Sequence, residues 1–204
     1  MSDGAIERIL VVCTANQCRS PIGAAMLADR LARRDLAATV ASAGTQAMEG
    51  APATDGTVRA AARYGIDLSH HRSRRTDPEM VDTAQLIVTM ERHHLREVVV
   101  LDPTAFARSF TLKELVRRGT EIGPRTPGET GGDWLERVHA GRRSLDLLGA
   151  SAVDDVEDPT GNRFTDHESM AVEVSELTDR MVELLWPSGG ERAAFRPVRS
   201  RPTR

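Results

Sequence analysis

Ten consecutive residues, Val12-Cys13-Thr14-Ala15-Asn16-Gln17-Cys18-Arg19-Ser20-Pro21, concentrate the reactive chemistry of this chain. A β-prone run, Ile9 to Val12, leads into them, and a Ser-Pro pair suited to a helix start closes them. In an open α/β sheet, ligands bind where a strand ends and the next helix begins. A loop curling there aims successive backbone N–H groups inward, and the helix N-terminus adds partial positive charge. Thr14, Ala15, Asn16, Gln17 and Cys18 would supply those amides. Arg19 adds a planar, permanently charged fork that fits two oxygens of a phosphate. Cys13 falls at the floor of such a cradle, where the positive field favours the thiolate form. A thiolate beneath a bound phosphate is placed to attack phosphorus.

The elements that must position these groups alternate along the chain. Ser20-Pro21 opens a helix to about Asp35, with Ser20 as its cap. Thr39 to Ser42 reads as a second strand closed by Gly44. A helix from about Asp55 to Tyr64 stops at Gly65, and Asp77-Pro78 starts a short helix. Gln85 to Thr89 is a third buried strand. Val98 to Leu101 reads either as a strand or as the end of a helix beginning near Glu91; Phe110-Thr111-Leu112 competes for the fourth strand, before a short helix Lys113–Arg118. Capping boxes at Asp133/Glu136 and Thr165/Glu168 predict helices to about Leu148 and Trp186. Strands alternating with helices imply a parallel sheet covered on both faces.

The chain has 204 residues, about 40% hydrophobic and 28% charged, enough for one globular domain with a real core. No apolar run approaches the length that crosses a bilayer, and Met1-Ser2-Asp3-Gly4 does not open a secretion signal. Two cysteines, Cys13 and Cys18, are too few for a disulfide scaffold and point to a reducing compartment, so the cytoplasm is expected. A net charge of −3 gives no reason to expect nucleic acid. Gly119 to Asp133, with five Gly and two Pro, reads as a mobile loop inside a domain of residues 1–186, long enough to reach the site as a lid. Residues 187–204 carry five Arg, one Glu and three Pro without apolar periodicity, the composition of a flexible basic tail able to contact an acidic partner.

The Cys-x5-Arg-Ser loop resembles that of the low-molecular-weight protein-tyrosine phosphatases, in particular their bacterial branch, which includes protein-arginine phosphatases. The resemblance extends in order through Ser42-Ala43-Gly44-Thr45, Gly65-Ile66-Asp67-Leu68-Ser69, His71-Arg72-Ser73-Arg74, Val88-Thr89-Met90, Phe110 to Leu115 and Asp158-Pro159. It implies a four-stranded parallel sheet flanked by helices, with the phosphate-binding loop after the first strand. It also puts Val98–Leu101 in a helix and Phe110 in the fourth strand. By the same resemblance, Cys13 is the nucleophile, Arg19 and the amides of residues 14 to 19 hold the phosphoryl oxygens, and Asp158 is the general acid. Asn16 and Ser42 brace the loop, Ser20 hydrogen-bonds the thiolate, and His71, with His70 as the alternative register, supports the loop. Cys18 matches a cysteine that can pair with the nucleophile in a disulfide. The family needs neither a metal nor another cofactor, and Cys-x4-Cys without nearby His is poor zinc spacing. Its substrate is a phosphorylated protein.

The chain departs from that pattern where the family clamps a flat ring. The walls of the substrate pocket fall on Gln17, Met48 and Thr160, with no aromatic residue beside Met48 or Thr160 among only seven aromatics in the chain. Phosphotyrosine is therefore the first expectation and phosphoarginine the second. Two further readings stand beside them: an arsenate reductase regenerated by an external small thiol, since no cysteine follows Cys18, and a phosphate-binding module without catalysis.

Overall fold

In a computed structural model that describes residues 4–160 and 163–187, β1 (Arg8–Cys13) is the inner strand from which the site is built. It pairs in parallel with β2 (Thr39–Gly44) on one side and β3 (Leu86–Thr89) on the other, and β3 pairs with β4 (Ser109–Thr111). The order is β2-β1-β3-β4. Parallel neighbours require crossovers, supplied here by α1 (Arg19–Arg33), α2 (Asp55–Ala62), α3 (Pro78–Thr83) and α4 (Arg92–Leu101). Helices α5 (Leu112–Ile122), α6 (Gly131–His139) and α7 (Phe164–Leu185) complete the cover.

The near-continuous apolar run of β1 follows from burial on both faces. Ile9, Val11 and Cys13 face the larger core with Ile22, Leu27, Leu115, Trp134 and Val182. Leu10 and Val12 face the smaller one with Val81, Val98 and Ala105. The long α7 packs along α1, α2 and α5 through Met170, Val174, Met181 and Leu185. Val98 is thus the buried residue of a helix, while Val100 is exposed, which resolves the ambiguous stretch in favour of α4. Phe110 lies in β4 and is fully buried.

Several boundaries differ from the sequence reading, each for a packing reason. Helix α5 continues beyond Arg118 through Gly119, where an added Cβ would come within 2.9 Å of the Trp134 ring and 3.0 Å of Leu184. That glycine is a close-packing position inside the helix, not the start of a loop. The capping box of α6 is Thr130 with Asp133, three residues earlier than Asp133 with Glu136, and the helix ends at His139 rather than near Leu148. Gly141 follows at φ +78°, and residues 144–147 form only a 3-10 turn. Helix α7 begins at Phe164, with the Asp166 carboxylate accepting from the Arg163 amide at 2.9 Å. The connection between α5 and α6 shrinks to residues 123–130. Arg125 N–H ties it to Leu184 O at the end of α7 (2.8 Å), and Gly131 N–H ties its far side to Gly4 O (2.8 Å), so it does not reach the site as a lid. The basic tail, apart from Pro187, lies outside the described residues. No helix among the described residues is long and apolar enough to cross a membrane.

Phe110 joins β4 to the core and carries the Arg142 guanidinium 4.1 Å above its ring. Phe110→Ala is expected to lower the unfolding free energy by about 3–5 kcal/mol, read from the urea midpoint; a shift under ~1 kcal/mol would place the core elsewhere.

Candidate active site

The parallel register sets Cys13 opposite Gly44, so the ends of β1 and β2 come together at one point. Past Cys13 the chain turns through residues 14–18 before α1 begins at Arg19. The turn requires Asn16 in the left-handed region, at φ +53°, which Asn tolerates better than most residues. Its side chain then ties three segments together. Nδ2 donates to Ser20 Oγ and Ser42 Oγ, both at 2.9 Å, and Oδ1 accepts from the Arg74 amide at 2.9 Å. Gly44 must lack a side chain, because a Cβ would stand 2.5 Å from Thr14 O and 2.7 Å from Asn16 N.

The loop carbonyls are held outward. Cys13 O accepts from Thr45 N (2.9 Å), Thr14 O from Gln46 N (2.9 Å) and Gln17 O from Thr54 N (3.1 Å). Asn16 O accepts from His71 Nε2 at 2.7 Å and Ser73 Oγ at 2.8 Å. Carbonyls fixed on the outside turn the intervening amides toward the centre, which is the geometry of an anion nest. His71 makes this contact, and its neighbour His70 is exposed. Burial leads the effects that lower the His71 pKa, and the acceptor role of Asn16 O makes Nε2 the protonated ring nitrogen.

Cys13 is buried at the floor, with Sγ 3.0 Å from Ser20 Oγ. Ser20 sits in the first turn of α1 and is not its cap; Cys18 holds the cap position, and its side chain makes no bond to the helix amides. The serine hydroxyl is therefore free for the loop. It accepts from Asn16, and its single hydrogen has Ala43 O (3.1 Å) and Cys13 Sγ within reach. A thiolate would draw that hydrogen to sulfur.

Arg19 is almost wholly buried. Nη1 donates to Val156 O at 2.9 Å and to the Glu91 carboxylate; Nη2 donates to Asp158 Oδ2 at 2.8 Å and lies 3.4 Å from Thr14 Oγ1. Its Nε has no partner among the described residues. A buried donor left unsatisfied costs about 1–3 kcal/mol, which an oxyanion in the cradle would offset. Asp158 is half-buried, its Oδ1 accepting from Thr160 N (3.0 Å) and Thr160 Oγ1 (2.7 Å). Cys18 Sγ lies 3.3 Å from Thr54 Oγ1 and 3.6 Å from Thr160 Oγ1. Both cysteines are free thiols. Of the wall residues, Gln17 is half-buried beside the loop, Thr160 is exposed next to Asp158, and Met48 is 75% exposed.

Two polar residues just past Val88-Thr89-Met90, which the sequence motifs do not assign to the site, belong to it in the structure. Glu91 neutralises Arg19 and His94 is fully buried, with Nε2 2.8 Å from Thr14 Oγ1. Burial, with His93 and Arg19 nearby, drives the His94 pKa down to about 2, so its ring is neutral. The available signal was polar residues just past a buried strand, at the sheet end where ligands bind. Glu91, His93 and His94 bring three donor atoms within 4.8 Å of one another. Glu91 already pairs with Arg19 and with His93 Nδ1 (2.9 Å), and Arg19 adds positive charge, so the set reads as a bonded network under the loop.

Asn16→Ala is expected to cost about 2–4 kcal/mol, from a left-handed alanine and an unpaired Arg74 amide. Asn16→Gly, which removes only the strain, should recover part of that in chemical denaturation. Because the native His94 does not take up a proton until about pH 2 while an unfolded one does below about 6.5, stability is expected to fall as pH drops through that window. Denaturation between pH 6 and 4 should show His94→Gln losing less stability than the parent, by up to about 1.4 kcal/mol per pH unit; identical slopes would mean that His94 is protonated in the native state.

Comparison with known proteins agrees with this geometry. The family described as low molecular weight phosphotyrosine protein phosphatase matches residues 8–140. A Ralstonia solanacearum protein described as a probable low molecular weight protein-tyrosine-phosphatase is 37% identical over 110 residues, 54% of this chain and 73% of its own. The protein-arginine-phosphatase of Geobacillus stearothermophilus is 35% identical over 141 residues, 69% of this chain and 90% of its own. The crystal structure of the low molecular weight protein tyrosine phosphatase from T. tengcongensis superposes with a TM-score of 0.67 at 29% identity, covering 88% of this chain and 99% of that one. With the loop, the sheet order and the matched span all in agreement, the chain belongs to the low molecular weight protein-tyrosine-phosphatase family of hydrolases.

Proposed function

We propose that this protein hydrolyses a phosphomonoester on a phosphorylated protein, phosphotyrosine first, through a cysteinyl-phosphate. The observation that carries the reading is the convergence of three groups on one cradle: Cys13 Sγ against the Ser20 hydroxyl, the buried Arg19 fork, and Asp158 held 2.8 Å from that fork. The Cys13 thiolate attacks phosphorus as the bond from phosphorus to the leaving oxygen breaks, and protonated Asp158 gives its proton to that oxygen. The amides of residues 14 to 19 and Arg19 hold the three remaining oxygens where charge develops. Asp158, now ionised, takes a proton from the water that attacks phosphorus; the S–P bond breaks and the thiolate and inorganic phosphate are released. Asn16, Ser42 and His71 keep the loop in shape for both steps.

Phosphoarginine is the second reading, and the pocket walls favour it: Gln17 is polar, and Met48 and Thr160 offer no ring to stack on a tyrosine. Cys18 is the proposed partner in a reversible disulfide with Cys13, two thiols giving up two protons and two electrons to a peroxide, which leaves as two waters. Two free thiols suit a reducing compartment, and the cytoplasm is the proposed location.

Side-by-side rates on phosphotyrosine, phosphoarginine and phosphoserine peptides rank the substrates. Cys13→Ser is expected to abolish turnover of an aryl phosphate at mildly acidic pH, and Asp158→Asn to slow it by about 10²–10⁴-fold. Turnover surviving Cys13→Ser would overturn the covalent route, and arsenate reduction with a small thiol in place of phosphate release would move the protein to the reductase reading.

A further inference from the structure

Asp158 is carried on a stretch of chain that belongs to no helix or strand. Between the 3-10 turn at residues 144–147 and α7, residues 148–160 form only turns, bends and extended backbone. Such a stretch has no ladder or helical hydrogen bonds of its own to fix it. A catalytic group displaced by about 1 Å loses on the order of 100-fold in rate, so other contacts must hold the acid in place.

Those contacts fall on three consecutive residues just before it. Val156 is fully buried; its N–H donates to Met90 O at 2.8 Å and its carbonyl accepts from Arg19 Nη1 at 2.9 Å. Asp155 Oδ1 accepts from the Arg92 amide (2.8 Å) and Oδ2 from the Ser151 amide (2.7 Å). Asp154 differs from both, because it is the only buried carboxylate among the described residues. Its Oδ2 accepts from Arg92 Nη2 at 2.7 Å, and its Oδ1 accepts from Arg117 Nη2 at 3.0 Å and Nε at 3.3 Å. Arg92 opens α4 directly after Glu91, the partner of Arg19, and Arg117 stands on α5. Burial works against the charge of Asp154, but the bonds from Arg92 and Arg117 outweigh it and hold the pKa below the usual carboxylate range.

The chemistry at phosphorus has no use for this charge. The side chain of Asp154 bonds Arg92, Arg117 and Ser151, none of them a residue of the cradle. A buried ion pair is also a weak source of stability, since desolvation cancels much of its attraction. What it fixes well is direction. We propose that Asp154 is a positioning residue for the general acid: gripped by Arg92 and Arg117, it anchors the segment that delivers Asp158 to the mouth of the cradle. This role rests on the reading of Asp158 as the acid and adds what places that acid. Arg19 holds the segment at Val156 and Asp158, which alone would leave it hinged at one end. Asp154 closes the other end.

The test compares kcat/KM of the full chain on two aryl phosphates. 2,4-Dinitrophenyl phosphate expels a phenolate that needs no proton, and phenyl phosphate expels one that does. Asp158→Asn should lose activity mainly on phenyl phosphate, the mark of a missing acid. Asp154→Asn should lose it in the same pattern, by about tenfold or more on phenyl phosphate and by less than about threefold on the dinitrophenyl ester. Arg117→Gln, at a side chain 40% exposed, leaves Asp154 its Arg92 bond and should show the same selective loss at smaller size, so the test survives an Asp154→Asn protein that folds poorly. Inorganic phosphate should inhibit both variants no less strongly than the parent, because the cradle is untouched. Equal losses on the two substrates, weakened phosphate inhibition, or no loss in either variant would overturn the positioning role while a selective Asp158→Asn left the acid in place. An Asp158→Asn protein that loses equally on both substrates would overturn the acid reading, and the positioning role with it.

Discussion

The site depends on one side chain in an unusual backbone state. Asn16 at φ +53° reverses the chain immediately after β1, and its amide bonds Ser20 on α1, Ser42 on β2 and Arg74 in the stretch before α3. Those segments are far apart along the chain, so the loop is closed by tertiary structure and could not hold this shape alone. The same reversal puts the carbonyls of residues 13, 14, 16 and 17 against outside donors. With those oxygens held outward, the amides have only the centre to face. Preorganisation of this kind means that the dipoles are already aligned before an oxyanion arrives, and no reorganisation is spent at that moment.

A buried guanidinium is the second constraint, and it links the loop to a distant segment. Arg19 is tolerated inside only because Glu91, Asp158 and Val156 O surround it. These partners lie 72, 139 and 137 residues away along the chain. Pairing Arg19 therefore draws the 156–160 segment to the cradle and brings Asp158 with it. An oxyanion in the cradle would compete with Asp158 for the Nη2 donor, while Nε, without a partner among the described residues, would be a donor available at no loss to either carboxylate. Glu91 stays beneath as the fixed counter-charge, and His94, kept neutral, binds Thr14 without adding a positive charge.

What could be read from the chain, and what could not, divides along the range of the interactions. The loop, the first three strands and the helix stop at Gly65 are written in local chemistry, and the alternation of elements carries the parallel sheet. The start of α6 is different. Thr130 and Asp133 both have cap chemistry, and the choice falls to Thr130 because Gly131 packs against Ile6, where a Cβ would meet Cγ1 at 2.6 Å. Ser20 has the local chemistry of a helix cap, yet the loop claims its hydroxyl. Glu91, His94 and Thr54 contribute through contacts across 36 to 80 residues, and no local pattern announces them.

The shortage of aromatic residues takes a specific form once the walls are in place. The side chain that follows Asp158-Pro159 is a threonine whose hydroxyl is already committed to Asp158 Oδ1 at 2.7 Å. A ring at that position would offer a stacking face; the threonine instead holds the Asp158 carboxylate. Met48 lies largely in solvent and Gln17 carries a polar amide, so neither offers a ring to a flat apolar group. Arg72, Arg74 and Arg75 stand exposed on the same segment whose His71 and Ser73 hold Asn16 O, so the surface beside the cradle carries positive charge rather than rings.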